Sequence, residues 1–169
     1  MRNTKAQFKN MEQTLEISKI LEKDIALQVR SLAESIEEPR WFHRDRMAPG
    51  RAIDGASCKY DFCGHKQMSK ETKEFLKDIA PKFENYRLAE IAINRYKQGD
   101  YLGKHKDRDY YRKNLVISLQ EQGDGLYIDD EDKFVEDVTG QGVCINGIGP
   151  THSVPEVKKL RYTLIYLYE

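Results

Sequence analysis

The sequence has no excess of charge of either sign: its 169 residues include 28 Lys and Arg against 28 Asp and Glu. A strongly basic or acidic chain is excluded, so any site for a polyanion must be local. Long apolar runs are also lacking. The longest strongly apolar stretch, Leu164 to Tyr168, is far shorter than the roughly 20 residues that a membrane helix needs. We therefore expect no membrane partner.

Cysteines are few and odd in number, which excludes a disulfide framework in a chain with no secretion signal. The N-terminus carries Lys5, Lys9 and Glu12 without the apolar core of an export signal. We therefore predict a cytoplasmic protein. Free thiols are expected at Cys58, Cys63 and Cys144.

The first half of the chain predicts helices and an ordered loop. Apolar residues at helical spacing indicate an amphipathic helix over roughly residues 18 to 37, which ends before Pro39. The stretch from 39 to 65 is rich in Pro and Gly and has little periodicity, so we expect a long loop or irregular strands. A second helix follows, with Ser69 as its N-cap and Pro81 just beyond its end.

From Arg87 onward, short β-type runs alternate with Gly and Asp clusters. The runs cover residues 88–96, 114–119, 126–129, 134–138, 143–146 and 162–168. Helices followed by many short strands predict a mainly β, α+β fold with antiparallel sheets. We expect one domain over residues 1–169, in which helices and loops of 1–86 buttress a jelly-roll core, or double-stranded β-helix, over 87–169.

The strongest chemical signal is His105-x-Asp107. In an extended strand, residues two apart point to the same face, so this imidazole and carboxylate can bind one metal ion. A second imidazole, for which His152 is the candidate, would complete a triad that leaves positions open on Fe(II). The ordinary alternative is a solvated hairpin turn.

The same spacing recurs at His43-x-Asp45, so the pattern alone is weak. This copy lies in the stretch punctuated by Pro and Gly, where no strand pattern aligns the two side chains. We interpret it as a decoy.

Alternation along two predicted strands supplies further polar candidates. Asn94 and Tyr96 share one strand face while Arg95 points away, and Arg161 shares a face with Thr163. If that second face is inward, a buried guanidinium requires an anion, and its contact with a ligand carboxylate stabilises binding by roughly 1.5 to 3 kcal/mol. Alternatively, Arg161 pairs with a protein carboxylate, or its face is solvated.

As a set, these residues resemble the Fe(II)/2-oxoglutarate-dependent dioxygenases over roughly residues 87 to 168. The shared features are Ile93-Asn94-Arg95-Tyr96, Gly99, His105-x-Asp107, His152 and Arg161-x-Thr163. The resemblance implies that His105, Asp107 and His152 hold Fe(II) and that Arg161 binds the distal carboxylate of 2-oxoglutarate. It also implies cosubstrate contacts by Asn94, Tyr96 and Thr163. In this family O2 converts 2-oxoglutarate to succinate and CO2 while a C–H bond of the substrate is oxidised.

Two branches of the family are similar to this sequence. In the AlkB-type nucleic-acid demethylases an acid two residues past the metal Asp meets the target base, and Asp109 fits that place. The second Arg that AlkB enzymes carry is here Leu167. The ending from His152 to Tyr166 is more similar to the prolyl-hydroxylase type, whose members hydroxylate proteins, peptides or small molecules. We predict such a hydroxylase, with an AlkB-like enzyme as the alternative.

A nucleic-acid partner has one further source of support. Arginines 40, 44, 46 and 51 interleave with Trp41 and Phe42, and this combination is suited to stacking on a base and binding phosphates. The more ordinary interpretation packs Trp41 over the core. From another functional class, a non-catalytic jelly-roll binding module fits the same residues. Substrate identity and oligomeric state are left open.

Overall fold

The computed structural model describes residues 15–169, in eleven strands and two helices. The strands are β1 Leu15–Lys19, β2 Phe42–Arg44, β3 Cys58–Gly64, β4 Leu88–Tyr96, β5 Tyr101–His105, β6 Lys113–Ser118, β7 Gly125–Ile128, β8 Lys133–Glu136, β9 Gln141–Asn146, β10 His152–Val154 and β11 Arg161–Tyr168. The helices are α1 Lys23–Glu34 and α2 Lys70–Asp78. Short 3-10 helices occupy Glu38–Arg40 and Asp129–Glu131.

All strand pairs are antiparallel and form two sheets that share β3. The larger sheet has the order β1-β9-β6-β11-β4-β3, with β2 also pairing with β3. The smaller sheet continues as β3-β5-β10-β7-β8. Asp61–Gly64 of β3 pair with β4, whereas Cys58 and Lys59 pair with β5, so one strand passes from one sheet to the other. The predicted mainly β jelly roll is confirmed.

Alternation along β11 divides the interior into two regions. Tyr162, Leu164 and Tyr166 point to the helices and belong to the larger hydrophobic core. The intervening side chains, which include Arg161 and Thr163, face a cavity between the sheets. The hydroxyls of Tyr166 and Tyr168 are satisfied, because they donate to the carbonyls of Leu76 at 2.5 Å and Pro81 at 2.6 Å. One face of β11 therefore stabilises the fold while the other provides polar groups to a site.

The helices cover the outer face of the larger sheet. Ala26, Val29 and Ala33 of α1 are fully buried in the core with Leu76 of α2. Ser69 is the N-cap of α2, as predicted, because its Oγ accepts a hydrogen bond from the Thr72 amide at 3.1 Å. This packing leaves the opposite face of the sheet free to line the cavity.

The helix predicted over residues 18–37 is partly wrong. Residues 15–19 form β1, which pairs with β9 in the register Leu15↔Ile145, and helical structure begins only at Lys23. Sheet pairing here overrides a helical pattern, which is a tertiary effect. The stretch from 39 to 65 contains β2 and β3, in agreement with the irregular-strand interpretation.

The three cysteines are free thiols, as predicted, and all are buried. Within residues 15–169, no helix combines the length and apolar character required to cross a membrane. The residues on which the missing export signal was argued, Lys5, Lys9 and Glu12, lie outside the described part of the chain.

Candidate active site

A cavity of about 270 Å³ lies between the two sheets. Part of its polar lining comes from the inward faces of β4 and β11 and from the facing ends of β5 and β10. The segments that were predicted to carry the chemistry thus meet around one cavity.

Two histidines meet because their strands are neighbours. His105 ends β5 and His152 begins β10, and the two residues are direct partners in the strand register. Their ring centroids are 4.2 Å apart. Oδ1 of Asp107 lies 3.8 Å from Nε2 of His105 and 3.5 Å from Nε2 of His152. One ligand atom from each residue falls within 4.8 Å of the others, which is a separation that a single metal ion can bridge.

Backbone carbonyls set the orientation of both imidazoles. Nδ1 of His105 donates to the Gly103 carbonyl and Nδ1 of His152 to the Pro150 carbonyl, each at 2.9 Å. This arrangement leaves both Nε2 lone pairs directed at Asp107, which is how metal-binding histidines are oriented. Burial, together with the nearby His152 and Arg51, holds the pKa of His105 well below its ordinary value. The neutral form that binds metals is therefore favoured.

The Asp107 carboxylate contacts two residues to which the sequence analysis gave no role at the metal site. Asn114 of β6 donates from Nδ2 to Oδ2 at 2.8 Å, and Nη2 of Arg51 lies 3.5 Å from Oδ1. Asp107 is only 8% exposed and His105 only 2%, which excludes the solvated hairpin turn. No local motif marks Asn114 or Arg51, because their relation to Asp107 arises from the packing of separate segments.

Arg161 is 1% exposed and lines the cavity, so its strand face is inward. It pairs with Asp137: Nε donates to Oδ2 at 2.7 Å and Nη2 to Oδ1 at 2.9 Å. The alternative of a protein carboxylate partner is thus realised. Among residues 15–169, no acceptor pairs with Nη1, which remains available to a ligand. Burial disfavours the guanidinium charge, but Asp137 outweighs this effect and raises the pKa of Arg161.

Asp137 was not singled out from the sequence, although it is a fully satisfied buried carboxylate. Besides Arg161, it accepts hydrogen bonds from Ser118 Oγ at 2.8 Å and from Gln120 Nε2 at 3.0 Å. Its four hydrogen bonds fix the direction in which the guanidinium of Arg161 points. A sequence signal for this role is missing, since acidic residues are frequent in the surrounding turns.

The four predicted cosubstrate residues form one patch on two adjacent strands. Arg161 pairs with Tyr96 in the register, and Thr163 pairs with Asn94. All four line the cavity, and Oδ1 of Asn94 is buried without a hydrogen-bond partner. Burial, with the nearby Tyr60, raises the pKa of Tyr96, so its hydroxyl stays protonated and can donate. The patch retains hydrogen-bonding capacity for a polar ligand.

Two of the predicted substrate contacts lie away from this patch. Trp41 belongs to the core beneath the helices, where its Nε1 donates to the Ile36 carbonyl and the Arg95 guanidinium covers its ring at 4.4 Å. This is the ordinary packing that was weighed against base stacking. Asp109 is exposed in a turn and does not line the cavity. Arg95 points away from Asn94 and Tyr96, as predicted, and pairs with Glu38 and Asp61.

The second His-x-Asp pair is not part of the site. His43 is exposed and bonds through Nδ1 to Asp61 at 3.1 Å, not to Asp45. Within residues 15–169, the group of side chains suited to a metal ion is His105, Asp107 and His152 alone. The structure thus brings together the three residues chosen from the sequence and leaves the decoy out.

No protein-family model matches this sequence, and no curated protein sequence is significantly similar to it. Solved structures do match. A Pseudomonas putida prolyl-4-hydroxylase is 13% identical with a TM-score of 0.63, over 97% of this chain and 95% of that chain. The viral collagen prolyl hydroxylase of Paramecium Bursaria Chlorella virus-1, solved as a 2OG complex, is 17% identical with a TM-score of 0.54, over 91% and 94%. OsALKBH1 is 12% identical with a TM-score of 0.58, over 92% and 98%.

Proposed function

Since this chain has the fold of the 2OG-Fe(II) oxygenases, we propose that it is an Fe(II)- and 2-oxoglutarate-dependent dioxygenase. It oxidises a C–H bond of a second molecule with O2 and releases succinate and CO2. The observation that carries the proposal is the buried His105, Asp107 and His152 cluster in the same cavity as Arg161. The three metal ligands suit Fe(II), and the guanidinium suits the distal carboxylate of 2-oxoglutarate, so one cavity has a site for each.

The donor set fits Fe(II). Two imidazole nitrogens and one carboxylate oxygen leave coordination positions open for cosubstrate and oxygen. When bound, the iron supplies the oxidative chemistry, and the residues of this chain supply position. Asn114 holds the second oxygen of Asp107, while the Gly103 and Pro150 carbonyls keep both imidazoles turned toward that carboxylate. These contacts prepare the site before any metal enters.

The patch on β4 and β11 fits a dicarboxylate. Arg161, Thr163 and Tyr96 would hold the distal carboxylate of 2-oxoglutarate, and Asn94 would contact the same ligand. Because Asp137 already offsets the charge of Arg161, binding relies on directed hydrogen bonds more than on net charge.

The metal assignment is tested by binding measurements. Mn(II) with a 2-oxoglutarate analogue raises the melting temperature, since a ligand at a hundredfold excess over its Kd stabilises the fold by about 2.7 kcal/mol. His105→Ala abolishes Mn(II) binding, whereas the matched control His43→Ala retains it. Binding that survives His105→Ala and is lost in His43→Ala would show that the wrong pair was chosen.

An assay of succinate release distinguishes an enzyme from a catalytically inactive jelly-roll binding module. Succinate release in the presence of Fe(II), 2-oxoglutarate and O2, even without substrate, supports the proposal. Stoichiometric binding of Fe(II) and 2-oxoglutarate without any release of succinate would instead support a binding module.

We also propose which branch of the family, and therefore which class of substrate, this chain represents. The sequence favours the prolyl-hydroxylase type, with a protein, peptide or small-molecule substrate, over an AlkB-like demethylase. The exposed position of Asp109 gives no support to contact with a base amino group. We also propose that residues 1–169 form a single domain and that the protein is cytoplasmic.

A further inference from the structure

Arg51 is a cation beside the candidate metal ligands that the proposed function does not use. Its Nη2 lies 3.5 Å from Oδ1 of Asp107. The same oxygen lies 3.8 Å from Nε2 of His105 and 3.5 Å from Nε2 of His152. The other oxygen of Asp107 accepts a hydrogen bond from Asn114. A metal ion and the guanidinium of Arg51 would therefore share one carboxylate oxygen.

The backbone fixes the place of Arg51. The next residue, Ala52, forms an isolated antiparallel bridge with His105. The amide of Lys106 donates to the carbonyl of Arg51 at 3.3 Å. The segment that carries Arg51 is thus paired with the strand end that carries the candidate metal ligands, so the guanidinium begins from a fixed position relative to them.

The guanidinium of Arg51 retains donors for a ligand. Its contacts with Asp107, at 3.5 Å, and with the Lys106 carbonyl, at 3.4 Å, are at the long limit of a hydrogen bond. Among residues 15–169, the side chain makes no other hydrogen bond. It is 29% exposed and lines the cavity, so a ligand bound beside the metal site can reach it.

The other three cations that line the cavity are placed differently. Arg161 is neutralised by its buried ion pair. Cζ of Arg44 lies 4.6 Å from the centre of the Phe62 ring. Cζ of Arg108 lies 5.6 Å from the centre of the Tyr110 ring. In the described part of the chain, none of these three guanidinium groups forms an ion pair with a candidate metal ligand.

Charge determines what the guanidinium of Arg51 requires. With a divalent ion bound to two neutral imidazoles and Asp107, the ion and Arg51 together leave an excess of positive charge around one oxygen. Like charges a few ångströms apart repel strongly where water is largely excluded. An anionic group that contacts both the ion and Arg51 removes this repulsion and gains a charge-assisted hydrogen bond.

The proposed cosubstrate carries such a group. 2-Oxoglutarate has a carboxylate at each end, and Arg161 would hold the distal one. The other carboxylate adjoins the keto group, and a 2-oxo acid chelates a metal ion through these two functions. On β11 the cavity wall has no second cation for this end, since the inward Leu167 is apolar.

We infer that Arg51 binds the carboxylate next to the keto group of 2-oxoglutarate and thereby makes cosubstrate binding and metal binding mutually dependent. The inference rests on the proposed function, because it assigns a further cosubstrate-binding residue to the same cavity. By linkage, 2-oxoglutarate tightens metal binding by the same factor by which the metal tightens 2-oxoglutarate binding.

The test measures Mn(II) affinity by electron paramagnetic resonance of free Mn(II), without and with 2-oxoglutarate. We expect 2-oxoglutarate to tighten Mn(II) binding to the wild-type protein. In Arg51→Met this tightening falls by about tenfold to a hundredfold, which is the range for a hydrogen bond to a charged group. Mn(II) alone binds Arg51→Met at least as tightly as the wild type, because a repelling charge is gone.

Two further variants complete the series. Arg51→Lys retains part of the tightening, since it keeps the charge but not the planar fork. The matched control is Arg44→Met, which removes the same charge from the same cavity without a contact to the candidate metal ligands. Equal losses of tightening in Arg51→Met and Arg44→Met would overturn the inference.

A purely structural role for Arg51 gives a different result. If Arg51 only positions Asp107, Arg51→Met weakens the binding of Mn(II) alone and leaves the effect of 2-oxoglutarate unchanged, which overturns the inference.

Pyruvate identifies which end of the cosubstrate Arg51 binds, because it has the 2-oxo acid end without the distal carboxylate. We expect its effect on Mn(II) affinity to be lost in Arg51→Met and kept in the double variant Asp137→Leu/Arg161→Met. The reverse pattern, or no effect of pyruvate on the wild type, overturns the inference.

Failure of this inference is separable from failure of the proposed function. If 2-oxoglutarate tightens Mn(II) binding equally in the wild type and in Arg51→Met, the role of Arg51 is rejected and the dioxygenase proposal stands. If Mn(II) binds the wild type but 2-oxoglutarate neither binds nor changes that affinity, the dioxygenase proposal is rejected together with the inference.

Discussion

Among individual residues, Arg161 and Asp137 form a deeply buried ion pair. Both side chains are almost fully buried and share two hydrogen bonds, and Ser118 and Gln120 complete the partners of the carboxylate. Alternation along one strand predicts that Arg161 and Thr163 share a face, but it leaves open whether that face is inward. The partner of Arg161 could not be predicted either, because Asp137 lies 24 residues away and meets it only through the fold.

Removal of one member of this pair should cost much more than removal of both. Asp137→Ala leaves an uncompensated buried guanidinium, and we expect a loss of about 3–5 kcal/mol in the free energy of unfolding by urea denaturation. The double variant Asp137→Leu/Arg161→Met should recover most of this loss, since apolar replacement of a buried pair is often neutral.

The double variant also separates folding from ligand binding. It should keep Mn(II) affinity while losing stabilisation by 2-oxoglutarate. Retained 2-oxoglutarate binding would mean that Arg161 is a structural residue and not an anchor.

Asp61 provides a prediction on pH. Burial opposes its charge, but hydrogen bonds from His43 and Arg95 outweigh this effect and lower its pKa below the ordinary value of 3.8. The stabilisation is therefore present above that value and is lost as the pH falls through the lower pKa of the folded state.

We expect Asp61→Asn to flatten the dependence of unfolding free energy on pH below about pH 4, relative to the wild-type protein. Urea titrations at several acidic pH values measure this difference. Parallel curves for the two proteins would contradict the assignment.

Among the elements, strands with a run of β-type residues were predictable, including β7 and β8 with only four residues each, whereas two strands at the metal site were not. β4 was predicted with its observed bounds, and β11 to within one residue. β5 and β10, which carry His105 and His152, were not recognised as strands, since β10 has only three residues. Their pairing with each other is long-range and leaves no local pattern.

Helix α2 should tolerate loss of its cap with a limited cost. Ser69→Ala removes the acceptor for the Thr72 amide, and we expect about 1 kcal/mol of destabilisation, measured by thermal or urea unfolding. Ser69→Asp should retain most of the stability because its carboxylate also accepts from that amide. Neither variant should change Mn(II) affinity, since α2 covers the outer face of the sheet; a change would indicate coupling between α2 and the cavity.

For the molecule as a whole, the candidate metal ligands belong to the smaller sheet and the segment after β5. Bound metal should therefore slow amide hydrogen exchange in β5 and β10 more than in β1 and β9, which pair at the far side of the larger sheet. Hydrogen-exchange mass spectrometry with and without Mn(II) measures the contrast. Equal protection of both regions would contradict local stabilisation at this site.

The strand shared by the two sheets, β3, determines on which side the walls of the cavity are joined by a continuous backbone. On the side of β3 the sheets are joined by a continuous backbone, whereas β1 and β8 end the opposite margins of the strand order. The two sheets are thus joined at β3 and end separately at β1 and β8. None of the residues that line the cavity belongs to β1 or β8, so these margins can lengthen or shorten without changing the walls against which a substrate packs.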